Sequence, residues 1–255
     1  MNTVLISTDG PVGIVSMNRP TKRNALSVEL VSDLRRAFEA FASNNDVRVI
    51  VLKGEGTSFC SGADLDSLQR IADASAMENL ADSTHLMQMM QSVVECPKPV
   101  IAQVHGPAIA GGCGLASVCD VVVAGRNGAL FGYSEVRIGF IPAIVLVYLM
   151  QKVGDARARR LVLSGATISA EEAFRIGLVS DVVEDDNLDL YVSDLAATMA
   201  KNSGTAMALT KQMLNALHGM SSDAALKYAT SMNALARQTD DCKAGIARFL
   251  NSNKG

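Results

Sequence analysis

Two glycine turns and one glutamate are the residues of this chain whose types and spacing suit chemistry. Gly111-Gly112 lies inside Lys98 to Val123 (KPVIAQVHGPAIAGGCGLASVCDVVV), after an apolar strand pattern and the turn His105-Gly106-Pro107, where a short helix should begin. Glycines at a helix start leave backbone N–H groups unpaired, and the helix dipole adds partial positive charge at that end. Such a place suits a phosphate, a carboxylate or a developing oxyanion. A second glycine turn, Ser61-Gly62 within Phe59-Cys60-Ser61-Gly62-Ala63-Asp64, also precedes a helical pattern, and Glu135 follows a short strand pattern. One such turn alone often serves only close backbone packing. Together the three features describe two N–H donors converging on one oxygen with a carboxylate beside it.

The elements that must position these groups alternate. Thr3 to Thr8 and Gly13 to Met17 read as strands around the turn Asp9-Gly10-Pro11, and Val47 to Lys53 as a third. Ser27 caps a helix whose apolar residues (Leu30, Val31, Leu34, Ala37, Phe38, Phe41) recur at helical spacing. Leu65 to Glu95 reads as a helical region, Ala129 to Tyr133 as a strand, and Ile138 to Val153 as an apolar helix. Asp155 to Ser164 and Ser169 to Ile176 are two more helices, with Gly177 as a C-cap before the strand Leu178 to Val183. From Asn187 onward only helical patterns remain. The reading is an α/β core over 1–186 and a helical assembly region over 187–255.

Composition narrows the classes. With 255 residues, 49% apolar, the chain can bury a sizeable core. A formal charge of −3, scattered cations and no tryptophan argue against a nucleic-acid surface. Five cysteines without a CxxC pair read as reduced core thiols, and three histidines without HxH or HxxxH spacing offer no transition-metal site. The longest apolar run is broken by Pro142 and too short to span a bilayer. A soluble cytoplasmic protein, with no membrane partner, is the expectation.

Several motifs in order resemble the enoyl-CoA hydratase/isomerase (crotonase) superfamily over nearly the whole chain: NRPTKRNAL near the N-terminus, FCSGADL, PVIAQVHGPAIAGGCGLASVCDVVVAG, FGYSEVRIGFIP and SGATISAEEAFRIGLVSDVV. The resemblance implies a spiral of ββα units, a C-terminal helical trimerisation region and a homotrimer or hexamer. It implies an acyl-CoA substrate whose CoA is part of that substrate, and no other cofactor or metal. Carried over by position, the N–H groups of Ser61 and Gly111 form the oxyanion hole for a thioester enolate, and Glu135 is the catalytic carboxylate. Lys22 and Arg23 meet the CoA phosphates, while Ala25, Ala63, Asp64 and Leu65 border the pantetheine and adenine. Asp120 reads as a capping or core-polar residue, Tyr133 and Tyr148 as packing, His85 as a residue without a catalytic task, and Lys254 as a terminal lysine.

The chain departs from that family at Gly114, where hydratases carry a first glutamate. Two carboxylates suit water addition, whereas one suffices to take a proton from one carbon and return it two carbons along. Δ3-Δ2 enoyl-CoA isomerisation is therefore expected ahead of hydration. The alternatives are an atypical hydratase, an acyl-CoA decarboxylase and a non-catalytic acyl-CoA-binding protein. A second departure is the aliphatic run Ala143-Ile144-Val145-Leu146-Val147 after Pro142, which should give the acyl pocket a more apolar wall.

Overall fold

In a computed structural model, residues 2–252 of the chain are described. Lys254 lies outside them. The strands in chain order are β1 (Val4–Asp9), β2 (Val12–Met17), β3 (Val49–Gly54), β4 (Val100–Val104), β5 (Ala108–Ile109), β6 (Val121–Gly125), β7 (Leu130–Gly132), β8 (Thr167–Ser169) and β9 (Asp181–Val183). The helices are α1 (Val28–Ser43), α2 (Leu65–Asp73), α3 (Ala76–Val94), α4 (Gly111–Ser117), α5 (Ala143–Val153), α6 (Asp155–Ser164), α7 (Ala170–Arg175), α8 (Leu188–Ala200), α9 (Gly204–Leu217), α10 (Ser222–Ala236) and α11 (Asp240–Ser252).

A six-stranded sheet runs β1-β2-β3-β4-β6-β9, antiparallel only between β1 and β2. Its inner strands are apolar on both sides, as parallel strands covered on both faces must be. One face packs against α1, α3 and α4 through Leu30, Leu34, Phe38, Met89, Met90, Val93 and Leu115. On the other face, Val12, Val49, Val51, Ile101 and Val123 meet Leu188, Val192, Ala196 and Ala200 of α8. A smaller sheet, β5-β7-β8, carries the segment that leads into α4.

Two element boundaries differ from the sequence expectation, and α8, at the start of the expected helical assembly region, lays its apolar face on the main sheet. The region 65–95 is two helices, divided at Ser75. There the Ser75 hydroxyl accepts from the Glu78 N–H and the Glu78 carboxylate from the Ser75 N–H, a reciprocal cap that starts α3 afresh. The helix expected from Ile138 starts instead at Ala143, behind Pro142 and Gly139, whose φ is +77°. Before it lies a single 3-10 turn, Glu135–Ile138, which carries the candidate carboxylate.

The tail is pinned by a buried lysine. Lys211 of α9 donates to Val93 O (3.0 Å), Lys98 O (3.2 Å) and Asp120 Oδ2 (2.7 Å), and Asp120 also accepts from Val100 N–H (2.7 Å). Asp120, expected as a capping or core-polar residue, is exposed and holds both the start of β4 and Lys211. Removing one partner of a buried pair leaves the other uncompensated, although the Asp120 side chain, 28% exposed, is free to rehydrate in part. Lys211→Met should cost about 2 kcal/mol, a fall in Tm of about 4–8 °C read by thermal denaturation.

Candidate active site

The two glycine turns meet because backbone lies directly on backbone. Cys60 N–H donates to Pro107 O (3.1 Å) and Ile109 N–H to Cys60 O (2.9 Å), lacing the Phe59–Asp64 turn to β5. A Cβ at Gly112 would overlap the Cys60 carbonyl, so only glycine lets the start of α4 approach this closely. Gly62 has φ +89°, and a Cβ there would stand 3.6 Å from Gly111 N. The glycines therefore bring the second turn against the first residue of α4.

The donors are not the pair expected. Ser61 N–H donates to Arg23 O at 3.1 Å, so it is unavailable to a ligand, against the expectation that it lines an oxyanion hole. Two residues on, Ala63 N–H has no acceptor among the described residues, while its neighbour Asp64 donates to Leu26 O (3.2 Å). Gly111 N–H, first in α4, likewise lacks one. Ala63 and Gly111 both line a cavity of about 520 Å³, together with Glu135. Ala110, just before Gly111, sits at φ 51°, ψ −124°, a sparsely populated conformation for a residue with a Cβ. That strain fixes the entry into α4, and no sequence signal marks it.

Glu135 is 8% exposed, and its Oε2 is buried with no hydrogen-bond partner. Burial pushes its carboxyl above the ordinary glutamate range, against a smaller opposing effect from a backbone N–H. Beside Gly114 there is no vacant seat. A Cβ at Gly114 would overlap Val145 Cγ1 and lie 2.7 Å from Val145 Cβ. Val145 of α5, itself buried, lines the same cavity. Tyr133 is fully buried outside the lining; its hydroxyl donates to Ser117 Oγ (2.7 Å), which itself donates to Cys113 O. The remaining wall is mostly aliphatic: Val28, Val31, Leu68, Ile71, Leu86 and Ile144. Asp82, half-buried on α3, stands where the cavity joins the cleft between α2 and α3. His85 also lines the cavity, its ring bonded to Ser32 Oγ at 3.0 Å.

The residues expected around CoA divide into two groups. Lys22 and Arg23 are exposed cations on the loop that follows β2, without an ion pair among the described residues, although the Lys22 charge acts on Asp64. Leu65, 79% exposed, opens α2. By contrast, Ala25 O accepts from the Arg19 guanidinium, and the Asp64 carboxylate is taken twice, by Arg19 (2.8 Å) and by Asp66 N–H (3.0 Å). Burial pushes the Asp64 carboxyl up, but Arg19, Asp66 N–H and the Lys22 charge together outweigh it and hold it below the usual carboxylate range. Asp64 therefore serves the fold: its Oδ1 accepts from Asp66 N–H, and its buried Oδ2, without a hydrogen bond, is ion-paired with Arg19.

Comparison with known proteins places the chain in a family. A family model described as enoyl-CoA hydratase/isomerase matches residues 7–255. A relative from Thermus thermophilus assigned to the enoyl-CoA hydratases is 41% identical over 241 residues, 94% of this chain and 95% of the relative. The 2,3-dehydroadipyl-CoA hydratase of Escherichia coli is 36% identical, over 98% of this chain and 96% of its own. The crystal structure of an enoyl-CoA hydratase from Mycobacterium smegmatis superposes with a TM-score of 0.93 at 29% identity, covering 98% of this chain and 96% of that one.

Proposed function

The chain belongs to the enoyl-CoA hydratase/isomerase family and is an acyl-CoA enzyme of that type, and from this premise we propose that it moves a double bond by one-carboxylate proton transfer, Δ3 to Δ2. The observation that carries the reading is the buried, unpartnered Glu135 Oε2, in a cavity that also holds two unbonded N–H groups. Glu135 takes the proton from Cα of a 3-enoyl thioester. The electrons run into the thioester carbonyl, giving a dienolate whose oxygen is held by Ala63 and Gly111 N–H. Loss of one such donor elsewhere costs about 2.7–4 kcal/mol of barrier. The protonated Glu135 then delivers its proton to Cγ, the carbonyl re-forms, and the double bond lies between Cα and Cβ.

Val145 supports isomerisation over hydration. A second carboxylate at position 114 has no place to start, because Val145 fills the space its side chain would need, and the cavity's other acid, Asp82, sits on α3 where the cavity joins the cleft between α2 and α3. The hydratases among the relatives favour the second reading, water addition to a 2-enoyl thioester. Supplying 3-enoyl-CoA and 2-enoyl-CoA separately to the purified protein separates the two. The proposal expects 2-enoyl product from the first and little 3-hydroxyacyl product from the second. Rapid hydration without isomerisation would sink it.

Lys22 and Arg23 suit the CoA phosphates, being exposed cations on the loop after β2. Exposed apolar residues along the tail, among them Leu214, Leu226, Leu235 and Ile246, suit assembly into a trimer or hexamer. The unpaired cysteines, four of the five buried, suit a reducing cytoplasm.

A further inference from the structure

We infer that Arg19 is a positioning residue for the oxyanion hole, clamping the loop after β2 onto the turn that presents the Ala63 N–H. The inference rests on the reading of Ala63 as a donor. Ala63 has no side chain with which to anchor itself, and its own N–H must stay unbonded to be useful. Its orientation is therefore set by its neighbours. Ser61 N–H bonds to Arg23 O (3.1 Å), Leu26 N–H to Gly62 O (2.7 Å) and Asp64 N–H to Leu26 O (3.2 Å). All three bonds join the turn to residues 23–26.

Arg19 fastens both sides of that seam. One guanidinium nitrogen reaches Ala25 O, next to Leu26, and another the Asp64 carboxylate at 2.8 Å, next to Ala63. Asp64 in turn caps α2 through Asp66 N–H, so the pair also fixes where α2 begins. The Arg19 side chain is 16% exposed and that of Asp64 4%, so the pair is largely shielded from water and salt. Arg19 is itself held, its N–H donating to Asn24 Oδ1 (2.9 Å), while Asn24 donates to Glu55 O and Ser58 O. The guanidinium fork reaches two acceptors at once, which a lysine ammonium at the end of a flexible stem does not do as rigidly.

The test follows the thioester carbonyl. Wild type, Arg19→Gln and Arg19→Lys are compared by kcat, KM and the infrared C=O band of a bound, non-reacting acyl-CoA labelled with ¹³C at the thioester carbon. Arg19→Gln should lower kcat about 10- to 100-fold, since a displacement of about 1 Å costs that much, with KM within about threefold. Its carbonyl band should move back toward the free-thioester position. Arg19→Lys, which keeps a charge opposite Asp64, should fall between the two and decides the matter if the glutamine variant does not fold. A folded variant with wild-type kcat and an unmoved band overturns the inference. A wild type that itself leaves the bound carbonyl band unshifted overturns the underlying reading of Ala63 and Gly111 as well.

Discussion

Glu135→Gln should lose about 10²- to 10⁴-fold in kcat on a 3-enoyl-CoA, the range general acid–base catalysis supplies, while still binding the substrate. Glutamine preserves the shape of the side chain and cannot accept and return the proton. In the wild type only the ionised carboxylate can take the first proton. Because burial raises its pKa, the rate should fall as pH drops through a value above the ordinary glutamate range. That limb should vanish from the residual rate of the variant. Stability moves in the opposite sense. An acid with a raised pKa in the folded state holds its proton more tightly there than in the unfolded chain. Its ionisation therefore destabilises the fold as pH rises through that raised value. Glu135→Gln should be more stable than wild type at neutral pH, with the gain fading below the ordinary glutamate pKa. Activity lost and stability gained in one substitution is the signature of a functional buried charge.

The second large effect lies at Gly114. Gly114→Glu forces a charged side chain into space held by Val145 and should destabilise by about 3 kcal/mol or more, through overpacking together with desolvation. Gly114→Ala, with one added carbon, should cost about 1–3 kcal/mol. Shortening the neighbour should repair either change, so chemical denaturation of Gly114→Glu/Val145→Gly should recover much of the loss. The double variant then has two carboxylates near each other, whose like charges raise one pKa further. It should gain hydration of 2-enoyl-CoA that the parent lacks. An uncompensated double variant would mean that Val145 is not what limits position 114.

Much of this molecule was legible in its residues, and the places where it was not have physical causes. Ser27, Gly177 and the apolar spacing of α1 mark their elements because local capping and periodicity decide them. The split at Ser75 was also written locally, as Ser75 followed three residues later by Glu78, yet a polar region without a strong apolar face hid it. The place of α8 was not legible, because its apolar residues do not say which surface they cover. Within the site, Glu135 and Gly111 fall together in one cavity, as their motifs lead one to expect. Ser61 does not act as its motif suggests, because the choice between its N–H and that of Ala63 depends on a carbonyl at Arg23, far away in sequence. In the sequence, Val145 is one of a run of aliphatic residues that suit an apolar pocket wall. That it occupies the space beside Gly114 follows from the crossing of α4 and α5, which residue types alone do not fix. Arg19 shares the segment NRPTKRNAL with Lys22 and Arg23, and only its buried partner Asp64 separates it from those exposed cations.

The most direct test of a single carboxylate shuttling one proton is label transfer. A 3-enoyl-CoA carrying deuterium at C2 is converted in ordinary water, and the 2-enoyl product is examined by NMR for deuterium at C4. The one-carboxylate account predicts that a measurable share of the label reappears at C4, because Glu135 stands in a cavity with mostly aliphatic walls and returns the proton it took. A 2-enoyl product with no deuterium at C4, its new hydrogen drawn wholly from solvent, or no 2-enoyl product at all, would contradict it.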